Sequence, residues 1–449
     1  MAGGGRVQIT DRDGRAMSSV ARVVNGRLLT SSGSVDGSPS DVNVGEVGGV
    51  PITDGLVGVK FGDSPSIDAF DRLRVSDPTG LFESTQTYDS QPLLWNTDIV
   101  GAATATFLPN ESATRLQVVN SGDSVGRQSK DYLRYQPGKS QLILGTFNFE
   151  GGDPNVRKRI GYFEAQNGIF LEEIDGALWI VRRTFTSGAV VDNRIAQADW
   201  NLDIFGDLDP TKTQILVIDL EWLGVGRVRV GFVIDGIIRY AHEFLNANVR
   251  TVVYMTTAQL PVRYEIEATG APAAANHLDQ ICCAVISEGG QDESTGFPFA
   301  AIRPTLVSVG GARVPIISIR PKLLFNGLTN RVQVIQRQID TLFSGTNGIG
   351  YVEVIYNGTL TGAAFNSVGA QSVMEFDVAA TAIAGGEVVR NFYTASTQQS
   401  KQVAETAILG RLPIALDTAG TVADRLTITA SVISGTLIGG GAFNWQEYR

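Results

Sequence analysis

The chain has 449 residues, of which 43% are hydrophobic and 18% charged, so it is long enough for two or three packed globular domains. Its formal net charge of -10 is opposite in sign to what nucleic-acid phosphates attract, which argues against nucleic acid as a ligand. No apolar run reaches the roughly 18 residues of a membrane-spanning helix, and no apolar signal core follows the first charges, so we expect a soluble protein made in a cytoplasm, without membrane insertion.

Residues 1–60 contain no aromatic side chain and are dense in Gly, Ser, Asp and Val. Such a segment has little to bury, and its composition also describes a tail without fixed structure. Two short alternating pieces, 6–10 and 20–24, have the pattern of strands that pair with a neighbouring chain or subunit. The functional interpretation is an extended assembly arm that becomes ordered on docking.

Strand composition dominates from Phe61, where aromatic residues begin to alternate with turn residues. The 51 glycines, against only 36 Lys and Arg together, also favour strands over exposed helices. Many short strands separated by polar turns predict a sandwich or a barrel over 61–290. The predicted strands are 102–108, 115–119, 141–149, 159–164, 168–174, 178–185, 215–222, 227–234 and 238–244.

Two Asp-Gly pairs predict β-hairpins within this region. Before Asp235-Gly236, residues 227–234 alternate apolar side chains with Arg227 and Arg229, a period of two. We expect a three-residue loop with a bulge, because a two-residue loop would set Arg239 against Phe232. The expected pairs are Ile234 with Ile238, Phe232 with Tyr240, Val230 with His242 and Val228 with Phe244. Asp175-Gly176 predicts a second hairpin of the same kind.

A polar, Gly-rich hinge at 287–296 is the predicted domain boundary. Beyond it we expect a second, smaller β-sandwich over 291–449. Its predicted strands are 314–319, 331–339, 350–356, 372–378 and 426–432, while 387–394 has the composition of either a helix or a strand.

Two short motifs resemble catalytic or phosphate-binding patterns. Residues 122–126 read G-x-S-x-G, but a nucleophile elbow needs a following helix and a histidine base, and residues 128–137 have no helical apolar stripe. Residues 138–140, Gly-Lys-Ser, lack the earlier glycine of a phosphate-binding loop, since Leu133 stands there. Both motifs are interpreted as turns.

Metal and cofactor chemistry is not predicted. His242 and His277 are far apart, and the adjacent Cys282 and Cys283 are poorly placed for a disulfide or for tetrahedral zinc. His242 lies on the predicted core face and is interpreted as a hydrogen-bonded, semi-buried residue. Residues 11–14 begin like a calcium loop, yet no bidentate glutamate follows at the required distance.

Among carboxylate pairs, Glu172 and Glu173 are neighbours in a strand and must point to opposite faces. Asp219 and Glu221 share a face at about the separation of a retaining glycosidase pair. They are the best catalytic candidates in the chain, although acids that alternate outward on a sandwich strand are commonly only solvated. Aromatic residues such as Trp95, Trp179, Trp200 and Trp222 can stack on a sugar, whereas burial is their commoner use.

Several separated motifs of the chain resemble those of structural proteins in tailed-bacteriophage particles. Residues 66–76 read SIDAFDRLRVS, where that family usually has DAFGRLRVS, so Asp71 replaces a glycine. The likeness continues in the same order to the C-terminus, through LFES at 81–84, YDSQPL at 88–93, YQPGKS at 135–140, IDLEWLGVGRVRVGF at 218–232 and SIRPK at 318–322. It covers the chain from Phe61 to Arg449 and brings no catalytic residues or cofactor.

The resemblance implies a virion component, assembled in the host cytoplasm, whose partners are other capsid or tail proteins. Threefold sites are common on tailed phages, so we expect a homo-oligomer, with a trimer favoured. Residues 215–244 resemble lectin-like jelly rolls in which a concave sheet binds glycans, so a host surface glycan is a further expected partner. Asp219, Glu221 and Trp222 are the predicted glycan contacts. The expected architecture is an arm at 1–60, a concanavalin-like jelly roll at 61–290 and a C-terminal sandwich at 291–449.

Overall fold

The computed structural model describes residues 78–292, 295–396 and 412–449, and the backbone of short strands elsewhere. The chain divides into two units, Met1–Ser64 and Pro65–Arg449. In the first unit the described strands form an antiparallel hairpin, β1 with β2, and a three-stranded meander of β3, β4 and β5. They are β1 Ala21–Val24, β2 Arg27–Thr30, β3 Glu46–Val47, β4 Val50–Thr53 and β5 Leu56–Val57. The strand expected at 6–10, the calcium-like residues 11–14 and the motif at 66–76 lie outside the described residues.

The second unit opens with a sandwich of fifteen strands and one 3-10 helix. Along the chain these are β6 Pro78–Thr85, β7 Trp95–Val100, β8 Thr104–Leu108, β9 Ala113–Val118, β10 Ser124–Ser129, β11 Ser140–Asn148, β12 Val156–Phe163, β13 Gly168–Ile174, β14 Ala177–Thr184, β15 Val191–Ala196, the helix Gln197–Asp199, β16 Gln214–Leu220, β17 Val228–Ile234, β18 Ile237–Phe244, β19 Val262–Ala268 and β20 Asn276–Glu288.

Two antiparallel sheets form this first sandwich. One has the strand order β15-β14-β13-β12-β19-β10-β7, and the other has β18-β17-β16-β11-β20-β9-β8, with β6 also paired to β20. Alternation along each strand sends every second side chain into the space between the sheets. On β16, Leu216 and Ile218 face the shared core while Val217 and Asp219 face outward. The jelly-roll prediction for this part of the chain is confirmed.

A second β-sandwich follows the predicted hinge. Its main strands are β21 Phe297–Ile302, β22 Val307–Val309, β23 Val314–Pro321, β26 Gln333–Ser344, β27 Ile349–Tyr356, β29 Asn366–Ser367, β30 Met374–Asp377, β32 Glu387–Ala395, β33 Lys401–Ala404, β34 Leu426–Ser434 and β35 Leu437–Tyr448. Two small two-stranded sheets accompany them, β24 Leu324–Phe325 with β25 Leu328–Thr329 and β28 Thr359–Thr361 with β31 Ala382–Ala384.

The five- and six-stranded sheets of this sandwich enclose their own core around Ile316, Val354, Phe443 and Trp445. Their orders are β21-β35-β26-β33, with β22 also on β35, and β29-β30-β23-β34-β27-β32. The segment at 387–394, for which the sequence allowed a helix or a strand, is the edge strand β32. The all-β prediction therefore holds for both sandwiches.

The hairpin at Asp235-Gly236 is formed as predicted, but half of its expected register is wrong. Val228 pairs with Phe244 and Val230 with His242, whereas Phe232 faces Arg239 and Ile234 faces Ile237. Asp235 and Gly236 both have positive φ, 53° and 76°, the geometry of a two-residue loop that suits the twist of the strands. The extra residue is a bulge at Ala241, deeper in the strand, which restores the core pattern because Ala241 is itself buried.

The hairpin at Asp175-Gly176 also closes with a two-residue loop, since Ile174 pairs with Ala177. Both central residues again have positive φ. The prediction of a bulged loop is therefore wrong here too, because an Asp-Gly pair satisfies the tighter turn without an additional residue.

A segment of the first sandwich, residues 130–136, clasps the second sandwich. The Lys130 ammonium lies 3.3 Å from the Tyr356 hydroxyl and 3.9 Å from the Asp424 carboxylate. The Arg134 guanidinium lies 4.3 Å from the centroid of the Tyr448 ring, and the Gln136 amide exchanges two hydrogen bonds with the Asp292 backbone, of 2.8 and 3.0 Å. Residues 130–136, which we call the clasp, thus contact both the hinge and the second sandwich.

Candidate functional site

Asp219 lies at the centre of a buried polar cluster on the outer face of β16. Its carboxylate forms an ion pair with Arg229 on β17 and accepts a hydrogen bond of 3.0 Å from the Tyr240 hydroxyl on β18. The Arg229 guanidinium in turn lies 4.3 Å from the centroid of the Tyr240 ring. Asp219 and Arg229 are both 0% exposed. Asp219 on β16 lies directly opposite Arg229 on β17. Residues opposed in this way point to the same face of the sheet, so their side chains meet.

Glu221 follows the last residue of β16 and closes a turn. Its carboxylate accepts the backbone N–H of Arg227 at 3.2 Å, and its own N–H donates to the Arg227 carbonyl at 3.1 Å. The Tyr254 hydroxyl donates to the Glu221 carbonyl at 2.9 Å. Leu223 and Gly224 within the turn have positive φ, so the carboxylate holds a strained loop in place.

Trp222 connects this turn to two other loops. Its indole N–H donates to the Met255 carbonyl at 3.1 Å, and its ring meets the Tyr135 ring edge to face at 6.0 Å. The Tyr135 hydroxyl accepts the backbone N–H of Trp222 at 3.2 Å, and burial raises the pKa of that hydroxyl. Trp222 is only half-buried, but its polar edge is engaged in holding the loops together.

Glu172 and Glu173 point to opposite faces of β13, as predicted. Glu172 lies outward between Arg159 and Arg194, at 2.7 and 2.6 Å. Glu173 lies inward, where burial raises its pKa to about 7 although the charge of Lys158 opposes the shift. The Lys158 ammonium donates to the carbonyls of Phe149 and Gly151, and burial lowers its pKa to about 8.

The outer face of the seven-stranded sheet carries an ion-pair network that sequence reasoning missed. Arg159 joins Glu172 to Glu265, the latter at 2.6 Å, and Arg263 also binds Glu265. Burial alone would raise the pKa of Glu265, but Arg263 and Arg159 lower it to about 2. Further pairs extend the network at both ends, Arg183–Asp192 and Arg194–Asp192 on one side and Arg157–Glu267 on the other. The available signal was charge at every second position, as in 157–159, 192–194 and 263–267.

The remaining motifs have structural roles. In the G-x-S-x-G motif, Gly122 occupies a turn with positive φ, and residues 124–129 form β10. The Asp123 carboxylate accepts hydrogen bonds from the backbone N–H groups of Asn120 and Ala102, and these bonds lower the pKa of Asp123. Gly138 lies in a turn, and the Lys139 ammonium donates to the Gly290 carbonyl at 2.9 Å.

Histidine and cysteine side chains are likewise engaged in packing. Nδ1 of His242 accepts the N–H of Asn201 at 3.3 Å, and burial with the nearby Arg182 lowers the His242 pKa to about 4. The His277 ring lies against the Glu150 carboxylate. Burial raises the pKa of the Cys283 thiol. Within the described residues no group of three or more His, Cys, Asp or Glu is arranged to hold a metal ion. Those residues also contain no helix with the length and apolarity needed to cross a membrane.

Solved structures similar to part of this chain include several carbohydrate-related proteins. One, reported under endo-acting O-glycanases of human gut microbiota, is 12% identical with a TM-score of 0.35, over 46% of this chain and 99% of that one. A glycosyl hydrolase family protein from Mycobacterium fortuitum is 9% identical, with a TM-score of 0.34 and the same coverages. The carbohydrate recognition domain of Emp47p is 11% identical, with a TM-score of 0.32, over 47% of this chain and 97% of that domain.

No protein-family model matches the chain, and no curated protein matches it. At these identities and TM-scores, the structural likeness assigns neither an activity nor a ligand.

Proposed function

We propose that the chain is a non-enzymatic structural and attachment component of a tailed-phage particle, anchored by residues 1–60. The observation that carries this proposal is the fully buried Asp219–Arg229 ion pair. Asp219 is the acid that the sequence places best for catalysis. A glycosidase carboxylate has to reach the scissile bond, and a carboxylate with no exposed surface that is committed to an arginine supports a structural role instead.

The distribution of charge supports the same role. Glu172, Glu265 and Asp192 are each held by two arginine contacts or more on the outer face of the seven-stranded sheet. Networks of this kind stiffen a sheet more effectively than isolated surface pairs. A durable outer face suits a protein that is exposed on a particle.

The particle itself is proposed from the ordered motifs between Phe61 and Arg449, which resemble tailed-phage structural proteins. Immunogold electron microscopy on gradient-purified particles, with a peptide tag fused after Arg449, tests it. We expect label at regular positions on the head, neck or tail. Absence of label from particles that carry an intact tagged chain would overturn the virion role.

Assembly as a homotrimer is part of the proposal. It is tested by mass photometry of the purified full chain and of a variant that lacks residues 1–60. We expect a trimer for the full chain, and a monomer at all concentrations would refute self-association.

The non-enzymatic part of the proposal has its own test. We expect bacterial surface polysaccharides to keep their chain length after incubation with the protein, as measured by size-exclusion chromatography. A shortened polysaccharide, with loss of the effect in Asp219→Asn or Glu221→Gln, would overturn it.

A further inference from the structure

A cleft of about 500 Å³ opens on the outer face of the six-stranded sheet in the second sandwich. It lies over the edge strand β32 and its neighbour β27, where Tyr351 pairs directly with Tyr393. Val352 and Val354, at the alternate positions of β27, belong to the core. Alternation therefore places the side chains of Tyr351 and of its partner Tyr393 outward. Tyr393 is 75% exposed. Directly opposed residues on neighbouring strands have Cβ atoms about 5 Å apart, so Tyr351 and Tyr393 line the same part of the cleft, and we call this pair the aromatic surface.

Polar groups lie beside this aromatic surface. Glu353 and Asn391 form the next outward pair in the same register. Arg313 binds the Glu353 carboxylate with two hydrogen bonds, of 2.7 and 3.2 Å, which fixes its orientation. Asn391 is exposed and offers both a donor and an acceptor. The cleft thus combines two tyrosine rings with the oriented carboxylate of Glu353 and the amide of Asn391.

We propose that this cleft binds a neutral saccharide of a bacterial cell surface. A pyranose ring has an apolar C–H face, which packs on tyrosine, and a rim of hydroxyls, which bond to carboxylate and amide groups. The cleft lies within the usual volume of small-ligand sites. Among the described residues that line the cleft there is no Lys or Arg, and the neighbouring Arg313 is already engaged with Glu353, so an anionic sugar or a nucleic acid would have to compete with that carboxylate for it. The inference deepens the proposed attachment role and rests on it.

A microarray of neutral and acidic bacterial surface polysaccharides, probed with the full chain, tests the site. We expect binding to neutral glycans, weakened at least about tenfold, or about 1.4 kcal/mol, in Tyr393→Ala. Tyr393→Trp should retain binding because it keeps an aromatic face. The matched control is Tyr88→Ala, since Tyr88 is a 93% exposed tyrosine on the first sandwich. Melting curves of each variant confirm that it is folded.

The outcomes separate this site from the attachment role. If the wild type binds neutral glycans and Tyr393→Ala binds them equally well, the site is wrong while attachment stands. If the wild type binds only acidic glycans, or none, the proposed ligand is wrong. Loss of particle labelling, measured independently, would refute the attachment role without bearing on the affinity of the cleft.

Discussion

Replacing Asp219 by Asn removes the charge opposite Arg229 with almost no change in volume. The variant leaves the Arg229 guanidinium buried beside a neutral amide, and the Tyr240 hydroxyl loses a charged acceptor. Breaking a buried ion pair by removing one partner costs about 3–5 kcal/mol. Because each kcal/mol shifts the Tm of a large domain by about 2–4 °C, we expect Asp219→Asn to melt roughly 10 °C below the wild type. Differential scanning calorimetry measures this difference.

The matched control lies in the same hairpin region. Asp203 pairs with Arg239, but the two side chains are 32% and 43% exposed, so Asp203→Asn should cost less than about 1 kcal/mol. Replacing both Asp219 and Arg229 by apolar residues should recover part of the stability. If Asp219→Asn melts like the wild type or like Asp203→Asn, the ion pair does not stabilise the fold, and a catalytic role for Asp219 has to be considered again.

Three further outcomes are expected. Because burial raises the pKa of Glu173 from 4.5 to about 7, the folded protein retains a proton that the unfolded chain releases, and this carboxylate destabilises the fold progressively as pH rises through that window. Glu173→Gln removes the effect, so urea unfolding should show the variant gaining roughly 3 kcal/mol relative to the wild type between pH 4.5 and 8; a pH-independent difference would contradict the shift. Arg159→Met should raise the pKa of Glu265 from about 2, as measured by NMR titration. Calorimetry should show that it destabilises the fold far more than Arg157→Met at the exposed end of the network. Equal losses of stability in the two variants would contradict a central role for Arg159. Trp222→Phe should cost about 1 kcal/mol through the lost bond to Met255, measured by urea unfolding, and no loss would show that the indole N–H does not hold the loops together.

The sequence predicted many of the elements in which apolar and polar side chains alternate, although the alternating strand β19 was not among them. Strands such as 227–234 and 350–356 were found because one face is plainly apolar. The strands at 124–129 and 191–196 were missed because their polar side chains resemble those of loops. In β10, Arg127 is 1% exposed and donates to Gln280 across the core at 2.6 Å, a pairing that no local pattern reveals.

Functional geometry was less accessible than the fold. The period of two correctly placed Glu172 and Glu173 on opposite faces, but it could not show that Asp219 meets Arg229, since that contact depends on the register of β16 with β17. The aromatic surface at Tyr351 and Tyr393 was not predicted at all. Its residues are far apart in the chain and meet only through the pairing of β27 with β32, which the sequence left undecided.

The clasp at residues 130–136 changes how the protein would carry tension. A single covalent strand crosses from one sandwich to the other at 289–296, so without the clasp any pull would load that one connection. Lys130, Arg134 and Gln136 bridge the junction beside it. A force applied between the termini of the second unit must break these bonds together before the hinge can extend. We therefore expect the junction to yield in one cooperative step rather than to stretch gradually.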